Sequence, residues 1–257
     1  MSGIVQNLTF SYGRGKHPAL EKVSFAFAEH TIIGLAGPNG SGKSTLLKCL
    51  ARLLTPSSGT FRWNGEDFFG LPFKTAAQKI GLLPQQPIDP GYWTVAELAA
   101  QGRFLYGDIS ADHPAVEKVL TQLELEGFRD RKVSELSGGE RQLAFLSIVL
   151  VKQPELLFLD EPDHFLDLKR KQLLSKVLQS EKAERTVVIS SHDLNFLAQT
   201  CDQVLLLSPG QTALCGAPEQ VFAAATLQRV FGVKLAPQVL SNRRLAVLAD
   251  YNFKSAD

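Results

Sequence analysis

The sequence predicts an α/β fold: a mostly parallel core sheet, with an N-terminal antiparallel β subdomain and an inserted helical subdomain. Three observations carry this prediction. First, five short, nearly continuous apolar runs, "TIIGLAG", "KIGLLP", "ELLFLD", "TVVISSH" and "QVLLLS", are separated by stretches of helical periodicity. Strands covered on both faces of a parallel sheet read this way. Second, "IVQNLTFSY" and "LEKVSFAFAE" alternate polar and apolar residues, and "FRWNGEDF" carries an Asn-Gly pair, the signal of an antiparallel hairpin. Third, the strand pattern stops between Pro87 and about Lys152, where "TVAELAAQGRFLYG", "PAVEKVLTQLEL" and "GERQLAFLSIVLVK" all read as helices.

After Pro209 the chain reads as a hairpin-like "GQTALCG", two short helices ("PEQVFAA" and "LQRVFG") and an apolar tail strand ("VKLAPQVL"). The expected organisation is one domain over residues 1–257, with a helical subdomain at about 87–152 and a C-terminal extension at about 209–257. A chain of 257 residues, 44% hydrophobic and 21% charged, is long enough for such a core. Its formal net charge of +1 gives no electrostatic case for nucleic acid, which calls for a concentrated basic face. Cys49, Cys201 and Cys215 have no metal-ligand spacing and read as small apolar residues or surface thiols. The start "MSGIVQNLTF" has neither the basic opening nor the apolar run of a signal peptide. The longest apolar run, "LAFLSIVLV" between Arg141 and Lys152, is about half of the ~20 residues a membrane helix requires. Any service to a membrane is expected from the water side.

The chemistry begins at "GPNGSGKST": Gly37, Pro38, Asn39, Gly40, Ser41, Gly42, Lys43, Ser44 and Thr45. This stretch follows an apolar strand and leads into a helical run, and it fits the phosphate-loop pattern Gly-x-x-x-x-Gly-Lys-Ser/Thr. Glycines let backbone N–H groups close around phosphates, and the helix presents its positive end to the same anion. Lys43 is placed to reach β and γ oxygens, Ser44 to ligate Mg²⁺, and Thr45 to add a contact near the α phosphate. The run "ELLFLDEP" ends in Asp160 and Glu161, where sheets of this class bind ligands. Asp160 is expected to hold Mg²⁺ through water, and Glu161 to polarise a water attacking the γ phosphate. His192 ends the next strand and is placed to bond the γ phosphate or to orient that water. Far from these, Ser137, Gly138 and Gly139 in "LSGGERQ" open a helix and make a second anion site.

In their order and spacing, the phosphate loop, Gln85, LSGGERQ, "LLFLDEP", Leu166-Asp167 and His192 resemble the ATP-binding subunits of ABC transporters, over nearly the entire chain. The resemblance implies the P-loop NTPase fold of ABC ATPase type. It also implies transport-coupled ATP hydrolysis with Mg²⁺, and a head-to-tail dimer in which Ser137, Gly138 and Gly139 bind the γ phosphate held by a second copy. Gln85 matches the family glutamine that contacts Mg²⁺ and the water while facing the membrane partner, with Gln86 beside it as an alternative. Tyr12 lies where the family stacks an aromatic on adenine, or is an ordinary edge-strand tyrosine. Asp167 matches an aspartate touching the opposite subunit, or caps the following helix.

Three departures from the family pattern stand out: Asp163 adds a negative charge close to the catalytic acids, His164-Phe165 precede Leu-Asp, and the helix after LSGGERQ lacks the usual arginine and alanines. Asp163 keeps open a second reading, an ATP-binding module with weak turnover. Within the family, "TVAELAAQGRF" and "GAPEQVFAAATLQRVFGVKL" look most like importer subunits for iron–siderophore, haem or cobalamin. That implies transmembrane permease subunits and an external substrate-binding protein as partners. It also implies a peripheral place on the cytoplasmic face of the membrane. The permease would dock near Pro87 to Tyr106, where Tyr92, Trp93 and Phe104 read equally as interface anchors or as lobe core.

Overall fold

The computed structural model describes residues 2–13, 18–87, 91–209, 213–239 and 245–249. The chain opens with β1 (Ser2–Phe10), β2 (Leu20–Ala28) and β3 (Ile32–Ala36), then α1 (Lys43–Leu50), β4 (Ser58–Trp63) and β5 (Glu66–Asp67). Next come α2 (Phe73–Lys79), β6 (Ile80–Leu83), α3 (Val95–Ala100), α4 (Pro114–Gln122) and α5 (Gly138–Val151). The second half alternates β7 (Leu156–Asp160), α6 (Leu168–Glu181), β8 (Thr186–Ser190), α7 (Leu194–Thr200) and β9 (Gln203–Leu206). It ends with β10 (Leu214–Gly216), α8 (Pro218–Val221), α9 (Ala224–Phe231), β11 (Leu235–Val239) and β12 (Leu245–Ala249).

The five apolar runs, joined at one edge by β10, form one six-stranded sheet in the order β10-β9-β3-β8-β7-β6. Strands β9, β3, β8, β7 and β6 are parallel, and β10 is an antiparallel edge. Every residue of β3, β7 and β8 is buried. Alternate side chains point to opposite faces, and each face has its own core. Ile33, Leu35, Phe158 and Val188 meet α1 and the antiparallel sheet, while Ile32, Leu157, Leu159 and Ile189 meet the helices on the other side. Each fully buried side chain contributes about 1.5–3 kcal/mol relative to exposure, so two-sided burial explains why these runs carry no alternation.

The antiparallel sheet has the order β2-β1-β4-β5. Its hairpin turns at Asn64 and Gly65, both left-handed at φ 54° and 83°, as the primed turn requires. Between β6 and β7 the described residues form α3, α4, α5 and short 3-10 turns. One expectation fails there: "TVAELAAQGRFLYG" is not a single helix, because α3 stops at Ala100 and a 3-10 stretch covers Gln101–Tyr106. Gly102 disfavours continuation of the helix, and it packs so closely that a Cβ there would lie 2.3 Å from the Ile148 carbonyl of α5.

Strand β12 has no counterpart in the sequence reading. It pairs with β11, Pro237 opposite Val247, and rests on α7. There the Asn195 amide accepts from Val247 N–H (2.7 Å) and donates to Val247 C=O (3.0 Å). Part of "GQTALCG", residues 210–212, lies outside the described residues, and Leu214–Gly216 of it is β10. Cys49 and Cys201 are buried and Cys215 partly so. Among the described residues no helix is long and apolar enough to cross a membrane.

Candidate active site

Strand β3 delivers the chain into the phosphate loop and α1 takes it away. Gly37, Gly40 and Gly42 sit at φ 146°, 76° and 95°. A Cβ at Gly37 would lie 2.2 Å from the Leu207 carbonyl, and one at Gly42 2.6 Å from that of Ala19, so these two positions admit glycine alone. Pro38 accepts from Ser41 N–H (3.2 Å), closing a turn around Asn39. The Ser41 hydroxyl is buried without a hydrogen-bond partner among the described residues, an orphan that an anion in the loop would satisfy. Lys43 is folded back on its own loop, donating to the carbonyls of Gly37 (2.8 Å) and Pro38 (3.3 Å). Burial lowers its pKa, and the nearby charges of Glu161 and Asp160 work against that shift.

Strand register brings the acids to this loop. Asp160 pairs with Ser190 across β7 and β8, and its Oδ1 accepts from Ser44 Oγ (3.0 Å) and Ser190 Oγ (2.6 Å). Ser190 Oγ in turn accepts from Glu161 N–H (2.9 Å). Ser190 was not singled out from the sequence, because its role arises only when β8 lies beside β7. Glu161 has a left-handed backbone, φ 53°, a conformation that a non-glycine residue holds at a cost and that recurs at functional sites. Its Oε2 accepts from Gln85 Nε2 (2.8 Å), its Oε1 lies 2.6 Å from His192 Nε2, and His164 Nδ1 stands 4.0 Å from Oε2. Buried Gln142, the last residue of LSGGERQ, donates to the Glu161 carbonyl (3.4 Å).

One cavity of about 920 Å³ runs from Tyr12 along Asn39–Thr45 to Gln85, Glu161, His164 and His192, with Asp160 behind its wall, bonded to Ser44. Tyr12 is 57% exposed, sits edge-on to Phe10, and its hydroxyl lies 3.1 Å from Thr45 Oγ1. The ring is thereby tied to the cavity mouth. Ser137, Gly138 and Gly139 do not line this cavity. Ser137 caps α5 in a capping box with Glu140, and Glu140 pairs with Arg170 (2.9 Å). Phe165 lies over Gly138, at 3.6 Å from the place of a Cβ. Asp167 caps α6 by accepting from Arg170 N–H (2.8 Å). Tyr92, Trp93 and Phe104 are 87%, 40% and 65% exposed, which removes them from the lobe core.

Asp163 departs from expectation. It does not line the cavity but points inward, accepting from Ser191 Oγ (2.7 Å) with Lys171 Nζ at 3.8 Å. Burial raises its pKa against these partners. The folded chain thus binds the proton more tightly than the unfolded one. The stability cost is absent below the ordinary carboxylate range, grows as pH rises from that range to the raised value, and persists in full above it. Asp163→Asn keeps an acceptor for Ser191 and is expected to melt higher than the parent at pH 8, by about 2–4 °C per kcal/mol regained. The gain should shrink as pH falls toward the ordinary aspartate value and vanish below about pH 3. A pH-independent difference in thermal melts would count against burial of the charge as its source.

A family model described as ABC transporter matches residues 20–164, a span holding the phosphate loop and Glu161. The chain is 35% identical over 241 residues to the hemin import ATP-binding protein HmuV of Bordetella avium (strain 197N), covering 90% of this chain and 92% of that protein. It is 32% identical over 236 residues to the ferric enterobactin transport ATP-binding protein FepC of Escherichia coli (strain K12), covering 89% and 86%. In structure it overlays on a chain of an inward-facing ABC transporter assigned to the metal-chelate type. The TM-score is 0.82 over 98% of both chains, at 24% identity, which speaks to the fold. Phosphate loop, acidic strand end and family match together place the chain in the ABC transporter family, as one of its ATP-binding and ATP-hydrolysing subunits.

Proposed function

We propose that two copies of this chain close head to tail around two ATP molecules and drive import of an iron–siderophore complex, haem or cobalamin through membrane permease subunits. The observation that supports this best is the placement of Ser137–Gly139. This anion-ready helix start stands outside the cavity that holds its own phosphate loop. A second copy's γ phosphate gives it a ligand, and the second copy's Ser137 completes this chain's site. ATP then contacts both copies only when they are closed, and that differential contact shifts the equilibrium.

In each site Lys43 exchanges the Gly37 and Pro38 carbonyls for β and γ oxygens, and the amides of the loop and the Ser41 hydroxyl hold the phosphates. Tyr12 faces the base, and Thr45 lies near the α phosphate. Ser44, Asp160 and Gln85 offer hydroxyl, carboxylate and amide oxygens, the hard donor set that suits Mg²⁺, with Asp160 acting through water. The ion would supply charge neutralisation on the phosphates. Glu161 polarises the attacking water, and His192, bonded to it, orients the pair toward the γ phosphate.

The helical segment at about 87–152 carries the permease contact, and the exposed Tyr92, Trp93 and Phe104 fit anchors of that interface. Residues 88–90 of the docking stretch lie outside the described residues. The cargo class follows the relatives, which serve hemin import and ferric enterobactin transport, and an external substrate-binding protein would deliver that cargo. A peripheral place at the cytoplasmic membrane face would bring the chain to those permease subunits. ATP turnover per chain is expected to rise with chain concentration until pairing saturates. Full per-molecule turnover by a dilute, demonstrably monomeric chain would overturn the shared site. Purification of the tagged chain from detergent-solubilised membranes should bring polytopic subunits with it, and their identity tests the cargo class.

A further inference from the structure

We propose that His164 is a positioning residue that keeps the Glu161 carboxylate aimed when Gln85 lets go of it. The inference rests on reading Glu161 as the group that polarises the attacking water. In the structure both carboxylate oxygens are engaged, Oε1 by His192 and Oε2 by Gln85. These two donors sit on different parts of the chain. His192 follows β8 in the core, whereas Gln85 lies between β6 and the helical segment that closure would move. The Gln85 bond therefore depends on where that segment stands. Once it is lost, Oε2 has no hydrogen-bond donor among the described residues, and the carboxylate is free to turn about its last torsion.

His164 is placed to replace it. Its Nδ1 stands 4.0 Å from Oε2, beyond hydrogen-bond range by about 1 Å. Local structure aims it there. His164 N–H donates to the Glu161 carbonyl (3.1 Å) and Leu166 N–H to that of Asp163 (3.3 Å), a tight turn bracketed by the left-handed Glu161 and Phe165. Asp163 is pinned inward by Ser191, so its neighbour His164 faces out, into the cavity. The imidazole leans on the Phe165 ring with centroids 4.0 Å apart, and its side chain is 45% exposed, which leaves room for the small swing. Three residues from Glu161 on one turn, His164 is tied to the carboxylate by the chain itself, as Gln85 is not.

The test compares His164→Ala, which removes the donor, with His164→Asn, whose amide nitrogen takes the place of Nδ1, and reads both against Glu161→Gln. His164→Ala is expected to lower kcat about 5–10-fold, the worth of one hydrogen bond, with KM for ATP changed by less than about two-fold. His164→Asn should stay within about two-fold of the parent. Added to Glu161→Gln, the alanine change should leave the ATP-held dimer on size-exclusion chromatography unaltered. A parental kcat for His164→Ala, an equal loss in His164→Asn, an effect confined to KM, or failure of the double variant to dimerise would each overturn the proposal. Parental turnover by Glu161→Gln would sink the reading of Glu161 itself, and with it this inference.

Discussion

Glu161→Gln is expected to lower kcat by about 10²–10⁴-fold, the span a well-placed base contributes, and to leave ATP bound between two copies. Glutamine is nearly isosteric with glutamate, so the left-handed backbone and the bond from Glu161 N–H to Ser190 are retained. What it lacks is a carboxylate for His192 and for the water. Because the phosphate loop is untouched, binding persists while its reversal by hydrolysis does not. Addition of ATP and Mg²⁺ should therefore move the variant to the dimer position on size-exclusion chromatography and hold it there. A variant that stays monomeric with ATP, or one that hydrolyses at the parental rate, would remove Glu161 from the role assigned to it.

The second large effect is complementation between two inactive chains. Lys43→Ala removes the cation of the phosphate loop, and loss of one such charge-stabilising donor costs about 10²–10³-fold. Gly138→Glu places a carboxylate where a phosphate should sit. The fold tolerates a side chain there, since a Cβ at Gly138 meets Phe165 at an ordinary 3.6 Å, whereas one at Gly139 would meet Arg170 at 3.1 Å. Each variant alone should be nearly inactive. Mixed in equal amounts, half of the dimers combine the two chains, and each mixed dimer has one site with both lesions and one with neither. About a quarter of parental activity is then expected if sites fire independently. Mixtures no better than the separate variants would show that Ser137–Gly139 do not serve a partner's site.

Much of this architecture is legible in the amino-acid order because local rules and the fold agree. Strands β3, β7 and β8 announce themselves as unbroken apolar runs, the Asn64-Gly65 turn carries its own backbone requirement, and the phosphate loop needs two glycines that nothing else can replace. What stays hidden depends on neighbours distant in the chain. The chain after α3 has 3-10 geometry where Gly102 lies against α5. Ser190 matters because it is in register with Asp160. The charge on Asp163 looks threatening to the catalytic acids until Ser191 and Lys171 are seen to turn it inward. His164 reads as an oddity of composition until the turn brings it back toward Glu161.

The bracing of β12 by Asn195 has a further consequence, for solubility. Both backbone groups of Val247 are spent on the Asn195 amide, so they face away from β11. In an antiparallel ladder the residue opposite them also turns outward, and that residue is Pro237. The free margin of β11 thus has a gap in the middle of its row of donors, while the far margin of β12 is occupied by a side chain posing as a neighbouring strand. A two-stranded ribbon would ordinarily invite another chain to add itself at either side. Here a proline on one side and an asparagine on the other refuse the addition, and the ribbon ends where it stands.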